Sequence, residues 1–140
     1  MKKLLLILCC LLMTGLTLAQ DEAQTPYDIA LERILEAERT GATELDLSIS
    51  GLTELPPEIG NLSNLQELFL VGHQLSSLPP EIGNLSNLQR LYLSINKLSS
   101  VPPEIGNLSN LQTLNLTYNQ FSSLPSEIAN PDDLQMLNSH

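Results

Sequence analysis

Apart from Cys9 and Cys10, the 140-residue chain contains no cysteine. Beyond that pair there is no thiol to act as a nucleophile, ligate zinc or form a disulfide, so the folded part must be stabilised by its core alone. Cations are scarce as well: six Lys and Arg stand against 16 Asp and Glu, for a net charge of −10. An acidic surface of this size repels phosphate backbones and anionic headgroups, which excludes nucleic acid and membrane-surface partners. Histidine occurs only at His73 and His140. No nucleophile–base pair, metal cluster or phosphate loop can be assembled from what remains, so neither catalysis nor a cofactor is expected. The glycines at 60, 83 and 106 lack the Lys-Ser/Thr that follows a phosphate loop.

The first residues have a different character. Met1-Lys2-Lys3 precedes an apolar run from Leu4 to Met13, which continues through Thr14-Gly15-Leu16-Thr17-Leu18-Ala19. A basic start, an oily stretch and a small-residue end make a secretory signal over residues 1–19, with Thr17 and Ala19 at the −3 and −1 positions of the cleavage site. The alternative is a membrane anchor over residues 4–19, but 16 residues fall short of the roughly 20 that a bilayer core requires. Neither cysteine follows the small residue that a lipidation signal needs. Removal of this segment leaves Arg33, Arg39, Arg90 and Lys97 as the only cations and deepens the charge to −12. The expected product is a soluble exported monomer, with no membrane insertion after cleavage.

From residue 42 the chain repeats itself every 23 residues. Ala42 opens ATELDLSISGLTELPPEIGNLSN, Leu65 opens LQELFLVGHQLSSLPPEIGNLSN, Leu88 opens LQRLYLSINKLSSVPPEIGNLSN, and Leu111 opens LQTLNLTYNQFSSLPSEIANPDD. Leu134 starts a fifth, partial copy. Within a copy, residues two apart such as Leu68 and Leu70 share one face of a short strand, with Leu65 turned inward beside them. Leu75, Leu78, Ile82 and Leu85 supply further inward side chains. Pro79 and Pro80 fix φ and remove backbone donors, which prevents a second strand and leaves Glu-Ile-Gly-Asn to form a 3₁₀ or helical turn. A single copy cannot bury seven apolar side chains, so the copies must stack, with their strands in one parallel sheet.

This spacing, L-x-x-L-x-L-x-x-N-x-L followed by L-P-P-E-I-G-N-L, resembles the leucine-rich-repeat family over residues 42–140, most closely the bacterial, cyanobacterial-type members. The resemblance implies an α/β solenoid: a curved stack with parallel strands on its concave face and irregular or 3₁₀ turns on its convex face. It also implies a role in binding a protein partner. The absence of cysteine separates the chain from the disulfide-capped extracellular members of animals. In the family, an Asn at the position of Asn96 and Asn119 is buried and forms a ladder to neighbouring backbone. Ser50 and His73 interrupt that ladder, which leaves His73 as a ladder substitute or a turn residue, or alternatively a pH-sensitive or metal-binding one.

The ends of the stack differ from its middle. Residues 20–25 read as a loose tail. Residues 26–41 read as a capping helix: Thr25 is the N-cap, Pro26 sits at N1, Asp28 at N3, and Gly41 is the stop. At the other end Asn130-Pro131-Asp132-Asp133 departs from the repeat, and Ser139 falls where a Leu is expected. The 23-residue period places Met136 after Thr113, and Asn138 after Asn115, in the strand columns.

Function must lie in the positions the repeat leaves free. Glu58, Glu81, Glu104 and Glu127 form an outer column one full rung apart, too far to converge on calcium. Asn61, Asn84, Asn107 and Asn115 begin N-x-S/T sequons that arise largely from the repeat itself. On the strand face the central column reads Asp46, Phe69, Tyr92, Asn115, Asn138. The column before it reads Glu44, Glu67, Arg90, Thr113, Met136, and the column after it reads Ser48, Val71, Ser94, Thr117. The chain has only two Phe and three Tyr, so two aromatics facing outward on adjacent rungs beside an Arg form a candidate interface anchor. The predicted partner-binding set is Glu67, Phe69, Val71, Arg90, Tyr92 and Asn115, extended at the rim by Ile49, Ile95 and Tyr118. Cross-strand packing is the competing role for the aromatic pair. The second functional class open to the sequence is a surface-anchored adhesive protein that binds glycan or neighbouring cells.

Overall fold

The computed structural model describes residues 23–123, 126, 128 and 135–137. The signal segment 1–19, together with Glu127, Asn138, Ser139 and His140, lies outside them. One helix, α1 (Pro26–Thr40), precedes five three-residue strands: β1 (Glu44–Asp46), β2 (Glu67–Phe69), β3 (Arg90–Tyr92), β4 (Thr113–Asn115) and β5 (Gln135–Leu137). The strands form one parallel sheet in sequence order. Between them, three 3₁₀ turns at Pro57–Asn61, Pro80–Asn84 and Pro103–Asn107 line the opposite side. Each turn opens on the second proline of a pair, whose fixed φ suits the first helical position.

The core is a set of columns. Leu68, Leu70, Leu91, Leu93 and Leu114 are fully buried from the strand side, and Leu75, Ile82, Leu85 and Leu98 from the return path. Each such side chain contributes about 1.5–3 kcal/mol on burial. Because every rung carries several, the stack repays the entropy of ordering its short strands, which no single rung could do.

The first end is closed by α1. Its N-terminus carries a reciprocal capping box. The Asp28 N–H donates to Thr25 Oγ1 and the Thr25 N–H donates to Asp28 Oδ2, both at 3.1 Å. Gly41 ends the helix at φ 65°, in the left-handed region that glycine adopts without strain. Ala30, Leu31, Ile34 and Ala37 form its buried stripe. Arg33 ties the helix to the sheet by donating to the Asp46 carbonyl at 3.2 Å.

At the other end the 23-residue register fails by one residue. β5 pairs Gln135 with Thr113, Met136 with Leu114, and Leu137 with Asn115. The expected columns Thr113–Met136 and Asn115–Asn138 are therefore not formed: Met136 takes the rung position of the inward Leu column. A one-residue slip exchanges the two faces of a strand. The sequence supplies a reason. In the first three repeats the N–H of Leu62, Leu85 or Leu108 closes the 3₁₀ turn on the carbonyl of Ile59, Ile82 or Ile105 at 3.2–3.3 Å. The residue 23 positions after Leu108 is Pro131, which carries no N–H; residues 129–134 lie outside the described ones. In addition, Asn87 and Asn110 donate to the carbonyls of Ser63 and Ser86 at 2.7 Å, whereas the carboxylate of Asp133 cannot donate.

Candidate functional site

Five of the six predicted residues lie on β2, β3 and β4 and Val71 just beyond β2, each half-buried. Phe69 and Tyr92 are in register on adjacent strands. Their rings stack face to face, with centroids 4.8 Å apart and planes 3° from parallel. The separation equals the strand spacing, so the stack follows from in-register parallel pairing. Beside it, Arg90 Nη1 donates to Glu67 Oε1 at 2.6 Å. This pair joins the same two strands and uses the arginine's charge inside the sheet face.

The ends of the central column are polar and held in place. Asn115 Oδ1 accepts from the Thr117 N–H at 3.0 Å and from Thr117 Oγ1 at 2.9 Å. Asp46 Oδ1 accepts from the Ser48 N–H at 2.8 Å. The Ser48 side chain and backbone N–H hold the Asp46 carboxyl below its ordinary pKa, helped by Arg33. The column thus runs carboxylate, ring, ring, amide. Val71, two residues beyond Phe69, is half-buried outside the strand.

The rim adds a backbone feature to this face. Three residues beyond the central column, the chain turns through the left-handed region at Gly72 (φ 78°), Ile95 (φ 59°) and Tyr118 (φ 55°). Glycine meets that demand freely; a β-branched Ile or an aromatic residue is strained there. Ile95 and Tyr118 are 54% and 65% exposed, the large apolar side chains most open to solvent among the described residues. Ile49 differs, since the first repeat makes its left-handed turn at Gly51 (φ 85°) instead and Ile49 packs against the core.

Below the face runs the asparagine ladder. Asn96 Nδ2 donates to the carbonyls of Leu70 and Leu93 at 2.7 and 3.0 Å, and its Oδ1 accepts from the Leu75 N–H at 3.2 Å. Asn119 repeats the pattern one rung on, with Leu93, Leu116 and Leu98. His73 occupies the same position one rung earlier and is buried, but neither ring nitrogen completes a hydrogen bond of good geometry. Burial holds its imidazole below the ordinary pKa, partly offset by the backbone of Ile49 and Leu47 and by Asp46. Of the two expected roles, ladder substitute or turn residue, His73 takes the ladder position, though without the ladder's bonds. Ser50, in the first repeat, is exposed. The sequence reading missed the second, outer ladder of Asn87 and Asn110. Their 23-residue recurrence is the signal that could have revealed it.

Among the described residues no group of three or more His, Cys, Asp or Glu side chains could hold a metal ion. Also among them, no helix is long and apolar enough to cross a membrane. Glu58, Glu81 and Glu104 each sit in the first turn of their 3₁₀ segment.

Parallel strands, 3₁₀ return turns and an asparagine ladder at a 23-residue period define a leucine-rich-repeat protein. The family model described as Leucine rich repeat matches residues 86–138. Among solved structures the chain is similar to a leucine-rich-repeat protein of Leptospira interrogans, with 51% identity and a TM-score of 0.58, over 63% of this chain and 24% of that one. It is similar to the plant peptide hormone receptor RGFR1, solved in complex with RGF2, with 40% identity and a TM-score of 0.58, over 69% of this chain and 16% of the receptor. The BIR3–SERK2 complex of Arabidopsis thaliana matches with 34% identity and a TM-score of 0.54, over 68% of this chain and 53% of that chain. The chain thus spans a quarter or less of the length of the first two. No curated protein matches.

Proposed function

We propose that this chain is an exported recognition module that binds a protein partner across its strand face, through Phe69, Tyr92, Arg90, Glu67, Val71 and Asn115. The observation that carries this reading is the stacked Phe69–Tyr92 pair, held half-exposed at the centre of a face otherwise made of short polar and charged side chains. Rigid aromatics lose little conformational entropy on binding, and their neighbours here are already fixed by the Glu67–Arg90 and Asn115–Thr117 bonds. The solved relatives RGFR1 and BIR3–SERK2 are a receptor with a peptide hormone and a protein–protein complex, which supports a protein or peptide as the partner class. The acidic charge and the apolar start of the chain support export.

The test is differential capture. Tagged wild-type protein and the Phe69→Ala/Tyr92→Ala variant are cross-linked on the native host and in its medium, and the recovered partners are compared. Loss of two anchors of about 2 kcal/mol each lowers affinity on the order of 1,000-fold. A partner held by the wild type and lost by a variant with an unchanged circular dichroism spectrum supports the reading. Equal capture by both proteins refutes it, and unfolding of the variant assigns the pair to packing. Intact mass of the fractionated native protein tests export: a chain lacking residues 1–19 outside the cytoplasm is the expected result.

A further inference from the structure

Two large apolar side chains stand on a backbone conformation that disfavours them. Ile95 and Tyr118 share the position at which Gly72 takes φ 78°, and both are more than half exposed. They occupy consecutive rungs, joined by the Ile95 N–H donating to the Thr117 carbonyl at 3.0 Å. Asparagine or glycine would relax the turn, and neither side chain gains burial in exchange. Strain of this kind, of order 1–3 kcal/mol, persists where something outside the folding of the chain needs the side chain.

The strand face is also polarised along the stack. Glu44 and Asp46 lie exposed on β1, and the Asp46 carboxyl is held low by Ser48. Glu67 follows on β2, paired with Arg90. On β4 and just beyond it the face carries Thr113, Asn115 and Thr117, bordered by Ile95 and Tyr118, while Lys97 on the same edge donates to Gln74 at 3.0 Å. One end attracts a cation and the other offers apolar surface.

We infer that the partner presents an extended peptide segment with a Lys or Arg over Glu44 and Asp46 and an aromatic or aliphatic residue against Ile95 and Tyr118. The inference rests on the recognition reading above and gives it an orientation. Two to three rungs of about 4.8 Å separate the two ends, so the cation and the apolar anchor are roughly three to four extended residues apart. The acidic end steers approach and fixes polarity, while the strained apolar rim supplies the dry contact.

The test pans a random twelve-residue phage-displayed library on the wild-type protein. The chemically synthesised consensus peptide is then measured against three double variants: Ile95→Asn/Tyr118→Asn, Glu44→Gln/Asp46→Asn and Phe69→Ala/Tyr92→Ala. The expected consensus holds a basic residue about three to four positions from an aromatic or aliphatic one. Its affinity falls at least 10-fold in the rim variant and several-fold in the acidic-end variant, the latter loss disappearing at high salt. The rim variant melts roughly 4–8 °C higher than wild type, because Asn tolerates the left-handed turn. An acidic consensus, no enrichment, or a rim variant that melts lower overturns the inference. Peptides that depend on Phe69 and Tyr92 but ignore the other two variants overturn it while leaving protein recognition on the strand face intact.

Discussion

Replacing His73 with Asn should make the protein more stable and remove a pH dependence. Asn96 shows what the position can do: one side chain satisfies two carbonyls and one N–H at 2.7–3.2 Å. Shifted back one repeat, the corresponding groups are the carbonyls of Leu47 and Leu70 and the Leu52 N–H. His73 completes none of these bonds with good geometry. Each net hydrogen bond is worth about 1 kcal/mol, less the packing lost with the ring, so His73→Asn should gain about 1–2 kcal/mol at pH 7.5. The imidazole's folded-state pKa lies below its ordinary value, chiefly through burial. The unfolded chain therefore binds the proton first. Stability is full above about pH 6.5 and falls as pH drops below it, by at most about 1.4 kcal/mol per unit, until the folded-state pKa is passed. Asp46 is the charged group facing the ring, and it limits how far that pKa can fall. Urea unfolding followed by circular dichroism at pH 7.5, 6.5 and 5.5 measures both effects, above the range where carboxylates titrate. A variant no more stable than wild type, with the same loss between pH 6.5 and 5.5, would refute the reasoning.

Gly83→Ala should destabilise by several kcal/mol, since a Cβ there would lie 2.5 Å from the Glu104 carbonyl oxygen, whereas Gly72→Ala meets open space and carries only the left-handed strain of about 1–2 kcal/mol; thermal melts of the two distinguish close approach from φ. Thr25→Ala removes the side-chain half of the capping box and should cost about 1 kcal/mol, with hydrogen exchange increasing first in α1. Arg90→Met should change stability by less than about 1 kcal/mol, because its bridge to Glu67 is part-exposed at 42% and 27%. A larger loss on melting would mean that the pair organises the sheet.

The middle of this molecule is legible in its sequence because the same physical demand recurs there. Leu at positions two apart, a proline pair and Glu-Ile-Gly-Asn each appear at the same phase in three consecutive repeats, and the structure places each on the predicted element. Legibility fails where the repeat is broken by residues whose effect is subtractive. Pro131 and Asp133 withdraw two donors, and a count of 23 could not anticipate that β5 would enter the sheet one residue early. His73 was visible as an exception but not as an unsatisfied one, since a spacing pattern carries no hydrogen-bond geometry. The columns of the strand face, including the pairing of Glu67 with Arg90 and Phe69 with Tyr92, followed directly from the period. The strain at Ile95 and Tyr118 did not, because only the backbone angle distinguishes a large residue placed comfortably from one held against its preference.

Among the described residues the hydrogen bonds between rungs join residues 21 to 26 apart, each to the neighbouring repeat and none beyond it. A genetic crossover between equivalent codons of two copies would therefore lengthen or shorten the protein by one whole rung without orphaning a donor in the interior. Such proteins can drift in length while their interior stays sound, and each rung gained adds one new residue to every column of the strand face. Selection can then act on the reach of the surface and on its chemistry as separate traits.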